Sequence, residues 1–167
     1  QRIRQTQDLL GQRIAIENTS FYVSAPISSM AEIDFLNAVL TEADCNLHLD
    51  VNNIYVNSIN CGFDASQFLR RIPGERIVYS HIAGHLQVDA GLLVDTHSEN
   101  IIDPVWALLD EAYQLFGVFP TLLERDTSIP PLPKLMIEVN KITDIQSQYA
   151  SNNSPAGQYQ SGVRSRP

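Results

Sequence analysis

Five times along the chain a short apolar stretch, of the kind that forms a buried strand, closes on a carboxylate or an imidazole. RIAIEN ends around Glu17, NLHLD on Asp50, RIVYSH on His81, GLLVDTH on Asp95 and His97, and PTLLE on Glu124. Glu17, Asp50 and His81 lie 33 and 31 residues apart, and His81 lies 43 before Glu124. Such intervals leave room for an amphipathic helix between strands, which is the signature of a parallel α/β architecture, doubly wound or barrel. In both, sites form at the carboxyl edge of the sheet, where all of these polar residues fall. A closed (β/α)8 barrel takes about 250 residues, and five eighths of that is roughly 155, close to the length of this chain without its polar tail. The expectation is a TIM-barrel-like architecture of which the chain supplies about five strands.

The segments between fit that reading. QRIRQTQDLLG reads as the end of a helix stopped by Gly11 and entered from somewhere upstream. Met30 to Ala43 carries Ile33, Leu36, Val39 and Leu40 near one helical face. Asp64 caps a short helix with Phe68 and Leu69, closed by Pro73 and Gly74. Asp103 and Pro104 read as cap and first turn of VWALLDEAYQLF, with Gly117 as its stop. Leu132 to about Tyr149 is a last helix. Residues 1–150 are thus expected as one portion of a metal-binding barrel domain, and 151–167, rich in Ser, Asn, Gly and Pro, as a flexible polar tail.

Strand ends that converge on one mouth would bring together residues remote in sequence. Carboxylates with imidazoles suit Fe, Mn or Zn, whereas Mg²⁺ favours carboxylates and water. Several carboxylates in a low-dielectric mouth repel one another, and a cation keeps them ionised. Asp95 and His97, two apart, share one side of an extended backbone and can face one ion. Structural readings stand beside these: Glu17 with Asn18 as a loop cap, Asp50 with Asn52 and Asn53 as an Asx-rich turn, and Arg125 with Asp126 as a loop salt bridge. His48, on the Asp50 side of its strand, is a ligand, an orienting group or a half-buried histidine; His85, four after His81, is read as an orienting group, as is Asp126. Trp106, Phe116, Phe119 and Cys45 read as core, and Cys61 as part of a polar loop near the mouth.

Other functions are disfavoured. Eleven Lys and Arg against 19 Asp and Glu give a net charge of −8, the wrong sign for binding nucleic acid through its backbone. No apolar run reaches membrane-spanning length, no export signal precedes the first strand, and two isolated cysteines fit a reducing compartment, so the cytoplasm is expected. The chain carries no GxGxxG, Walker A, HExxH or GxSxG.

The series IENTSFY, LHLDVNNIYVNSINCGFD, SHIAGH, LLVDTHS, DPVWALLDEAY and PTLLERD, over about residues 13–145, resembles the DUF692 (UPF0276) family of multinuclear non-haem iron-dependent oxidative enzymes. The resemblance implies a TIM barrel with two or three iron ions at its mouth, this chain forming the C-terminal part. It implies metal ligation by Glu17, Asp50, Asn53, His81, Asp95, His97 and Glu124. It also implies oxidation of cysteine residues in a ribosomally made precursor peptide. The steps implied are thiolate ligation to one iron, O2 activation at a mixed-valent centre and hydrogen abstraction from the cysteine side chain. A small peptide-presenting protein is the implied partner, and an N-terminal barrel half or self-association would cover the open sheet edges. From the residues alone, a divalent-metal TIM-barrel isomerase or hydrolase and a non-catalytic binding scaffold remain open, as do Mn and Zn.

Overall fold

A computed structural model describes residues 1–23, 27–89 and 91–150 of the chain. Helix α1 (Arg2–Leu10) ends where Gly11 turns left-handed, at φ 65°. Strand β1 (Ala15–Glu17) follows, then α2 (Glu32–Ala43), β2 (Asn46–Asp50), α3 (Val51–Cys61) and α4 (Ala65–Arg70). A 3₁₀ turn (Gly74–Arg76) leads into β3 (Ile77–Ile82), β4 (Leu86–Asp89) and β5 (Leu92–Val94). Helix α5 (Asp103–Phe116), β6 (Thr121–Leu123) and α6 (Leu132–Tyr149) complete the order.

Four strands form one parallel sheet in the order β1-β2-β3-β6, with helices as the crossover connections. The expected strand at GLLVDTH does not join it. Leu92–Val94 pairs antiparallel with Leu86–Asp89 in a separate hairpin, so the parallel sheet has four strands among the described residues rather than about five. The postulated tail, 151–167, lies outside the described residues.

Core packing follows from pleat and periodicity. Leu47 and Leu49 on β2 and Ile82 on β3 are fully buried beneath the helices. Helix α2 meets them with Ile33, Leu36, Leu40 and Ala43, and α5 with Val105, Leu108, Leu109 and Ala112, each set spaced to lie along one face. Trp106 and Phe119 are core as expected, Cys45 is wholly buried, and Phe116 packs against the core from its edge. Because side chains alternate along a strand, Glu17, His48, Asp50, His81 and Leu122 face the other side of the sheet, where Leu122 is 46 % exposed. Parallel sheets are ordinarily covered on both faces; among the described residues helices cover one.

Two elements differ from expectation. Asn52 and Asn53, for which a turn was one reading, and Cys61, expected in a polar loop, lie on helix α3, which starts directly on β2 with Asp50 as its cap: the Asp50 carboxylate accepts from the Asn53 amide. Cys61 is accordingly the exposed last residue of a helix. Helix α5 begins at Asp103, with Ile102 in the cap position, so Asp103 lies in the first turn and caps nothing.

Candidate metal centre

The carboxyl ends of the four parallel strands gather donors. One ligand atom from each of Glu17, Asp50, His81 and Glu124 lies within 4.8 Å of all the others; so do those of Glu17, His48 and His81, and those of His97, Glu124 and Asp126. Glu17 and Glu124 belong to opposite edges of the sheet. Three inter-strand gaps in a flat sheet would hold their strands roughly 14 Å apart. Their meeting therefore reflects a sheet curled around its open face.

The second arm comes from the segment after β5. Its backbone is not extended at His97, where φ is 49°, a left-handed conformation that histidine tolerates better than most residues. That bend lets the His97 Nε2 sit 2.7 Å from Asp95 Oδ1 while Nδ1 meets Asp126 Oδ2 at 3.1 Å and Glu124 Oε2 at 3.4 Å. Asp95 and His97 thus face one another for a reason other than strand alternation; His97 joins one of the three donor groups, and Asp95 joins none. Asp126 serves His97, while Arg125, nearly buried, pairs with Glu138 at 2.8 Å and with the Ser98 carbonyl; the expected Arg125 to Asp126 bridge does not form.

Burial and like charge act together on these residues. Burial pushes Asp50 well above the usual carboxylate range. Glu17 is raised by burial and then by the Glu124 and Asp95 charges, and Glu124 is raised by burial. The Asp95 carboxylate lifts His97 to about 9, whereas burial and His81 bring His48 down to about 4. Burial also lowers His81 and His85.

Hydrogen bonding is incomplete in the same place. His48 Nε2, Asp50 Oδ2, His81 Nδ1 and Glu124 Oε2 are buried and have no hydrogen-bond partner among the described residues. His81 Nδ1 and Glu124 Oε2 lie only 2.8 Å apart without hydrogen-bond alignment. Native proteins leave few such atoms unpaired, since each costs about 1–3 kcal/mol. Convergent, anionic and imidazole donors with free lone pairs are the set a divalent cation satisfies, so the residues present fit a bound metal.

Around this cluster lies an amide network that the sequence reading missed. Asn18 makes a two-way bond with the Asp50 backbone, accepting from its N–H at 2.9 Å and donating to its C=O at 2.8 Å. Asn53 donates to the Asn18 carbonyl, and its own Oδ1 is buried without a hydrogen-bond partner among the described residues. Asn52 donates to Asp95 Oδ1 and meets His85 Nδ1, each at 2.7 Å. His85 is thereby a buried support for Asp95 and belongs to none of the three donor groups. Asn57 holds the Thr19 carbonyl and the Phe21 amide; Asn60 holds both backbone groups of Leu93. Ser20 and Tyr22 bond Asp95 from the β1–α2 loop. The available signal was the spacing of Asn53, Asn57 and Asn60, which puts three amides on one helical face. Gly84, between His81 and His85, admits no side chain because a Cβ there would stand 1.9 Å from the Glu99 carbonyl oxygen.

Fold and site together define an α/β protein with metal-capable donor clusters at the carboxyl edge of a curled parallel sheet. The chain belongs to the family described as RiPP precursor modification enzyme MbnB/TglH/ChrH, whose model matches residues 1–147. It is 59 % identical to a UPF0276 protein of Nitrosospira multiformis, over 91 % of this chain and 54 % of that protein. A UPF0276 protein of Shewanella loihica is 57 % identical over 88 % of this chain and 52 % of its own length. One from Alcanivorax borkumensis is 56 % identical over 90 % and 52 %. The chain spans about half the length of these curated relatives, and the resemblance read from its motifs holds. No helix among the described residues is long and apolar enough to cross a membrane.

Proposed function

We propose that residues 1–150 are the C-terminal portion of a TIM-barrel-like metal-binding domain, and that the longer protein is an iron-dependent oxidative enzyme acting on cysteine residues of a ribosomally made peptide with O2. The observation that carries this reading is the convergence of Glu17, Asp50, His81 and Glu124 from four strands, with buried donor atoms left unpaired. Curling supports the barrel, as does β6, whose side of the sheet opens on an apolar cleft of about 450 Å³ lined by Leu122, Ile129, Leu132 and Met136. Further strands and helices would cover that edge.

In this reading Glu17, Asp50, His81 and Glu124 hold metal at the centre of the mouth, and Asp95, His97 and Glu124 hold it on the hairpin side, with Asn53 ligating or orienting. Bound iron would supply the redox chemistry by which O2 oxidises a peptidyl thiol. The chain's own contribution is positional. Asp126 keeps His97 Nδ1 engaged, so that Nε2 is directed at Asp95; Asn52, itself met by His85, fixes the Asp95 carboxylate. The amides of α3 hold the loop and hairpin that frame the opening, where a precursor peptide and a small presenting protein would be received. With both cysteines free, we place the protein in the cytoplasm.

The test is metal content per chain after anaerobic purification, for this chain and for a version extended to the length of its relatives. Two or more irons in the long form and fewer in the short one is the expected result. Absence of iron from both, even after reconstitution, overturns the oxidase reading. Activity with Zn²⁺ or Mg²⁺ alone would instead favour an isomerase or hydrolase, and no stoichiometric metal of any kind a binding scaffold.

A further inference from the structure

The ligand assignment carried by the family resemblance gives His48 no direct role, yet its placement is that of a donor. Along β2, Leu47 and Leu49 go into the helix layer, and His48 turns to the opposite face with Asp50. In register, His48 stands directly beside Glu17 on β1 and beside Tyr79 on β3, two residues before His81. Glu17, His48 and His81 therefore occupy one face of three adjacent strands.

The rings are set for convergence. The His48 and His81 ring centroids are 3.9 Å apart with planes at 89°. One ligand atom from each of the three residues lies within 4.8 Å of the other two. His48 Nε2 is buried and has no hydrogen-bond partner among the described residues. A histidine kept only to pack on Tyr79, whose ring lies 4.9 Å away, would ordinarily direct that nitrogen at a polar group.

We propose that His48 is a metal ligand, and that it holds one divalent first-row cation jointly with Glu17 and His81. This rests on the reading of the mouth as a metal centre and deepens it. Two imidazoles and one carboxylate, with further positions open, are the donor set suited to Fe(II) and also to Mn(II) or Zn(II). All three donors come from β1, β2 and β3, so this ion needs no ligand from outside residues 17–81. The chain by itself is then a one-ion protein at least, whatever the rest of the longer relatives contribute.

The experiment is a Zn(II) titration of the chain labelled with ¹⁵N in its four histidines, read by long-range ¹H–¹⁵N correlation of the ring nitrogens and repeated on His48→Gln. The expected result is that one ring nitrogen of His48 and one of His81 move together to metal-bound positions within the first equivalent of Zn(II). His48→Gln then weakens binding of that ion at least about tenfold, with little change in the melting temperature of the metal-free chain. If the His48 nitrogens keep free-imidazole values at saturation while His81 moves, or if His48→Gln binds Zn(II) as tightly as the parent, the proposal is wrong and the wider metal reading stands. If no histidine moves, both fall. Should His48→Gln fail to fold, the parent spectrum decides, with ring signals assigned through the backbone.

Discussion

Two polar networks lie side by side at the carboxyl edge of the sheet, and they are built to opposite rules. In the first, Asn18, Asn57 and Asn60 meet backbone N–H and C=O groups in pairs, each amide both donating and accepting. In the second, Glu17, Asp50, His81 and Glu124 crowd together with acceptors and lone pairs that face one another. A satisfied network fixes a backbone and is complete within the chain. An unsatisfied one, held rigid by the first, is a site that something else completes. The contrast assigns the asparagines to architecture and the carboxylates and imidazoles to binding, although all are buried or half-buried and only a few ångströms of polypeptide separate them.

The sharpest way to break the comparison is Asn18→Leu. Removing both bonds to the Asp50 backbone leaves its buried N–H unpaired, while its C=O keeps the first bond of α3, and the expected loss is about 2 kcal/mol of stability in urea unfolding. A loss below about 1 kcal/mol would mean that the amide network is incidental. Glu124→Gln is expected to do the reverse: metal-free stability is kept or gains, since a buried carboxylate charge disappears, while affinity for metal falls on the order of 10–100-fold in calorimetric titration. Equal metal binding by this variant would remove Glu124 from the site.

Asn60→Ala should cost about 1–2 kcal/mol, concentrated in the hairpin, and is read as faster hydrogen exchange at the Leu93 amide with exchange at Leu47 and Leu49 unchanged. Uniform acceleration would show that the hairpin and the parallel sheet open as one unit. The smallest effect lies at the far end of β2. Asp44 is held below its ordinary range by hydrogen bonds from Arg76 and Arg13, at 2.7 and 2.5 Å. A carboxylate depressed in the folded state stabilises above its unfolded pKa and loses that contribution as pH falls through the folded value. Asp44→Asn should therefore lower the melting temperature slightly at neutral pH, with the difference from the parent closing as pH falls below about 4, so that the acid limb flattens; an unaltered acid limb would mean solvent screens the pair completely.

Strand ends were legible in the sequence because a buried strand must be apolar until it leaves the sheet, so Glu17, Asp50, His81 and Glu124 mark themselves. Helix α3 was not. VNNIYVNSINC is rich in asparagine and β-branched residues, which have little intrinsic helical preference and favour turns, and the helix is held by amide bonds to loops that local reading cannot see. GLLVDTH reads as another strand of the main sheet because a short apolar run does not encode its partner; the hairpin with β4 is a pairing choice. The sequence by itself determined which residues are carboxylates and imidazoles, that they close apolar strands, and, through its motifs, the family. Tertiary structure alone decided that sheet curvature brings β1 and β6 donors within reach, that His97 turns back onto Asp95, and that His48 and His81 meet edge to face. Those outcomes depend on strand register, twist and packing between segments tens of residues apart, and no local pattern carries them.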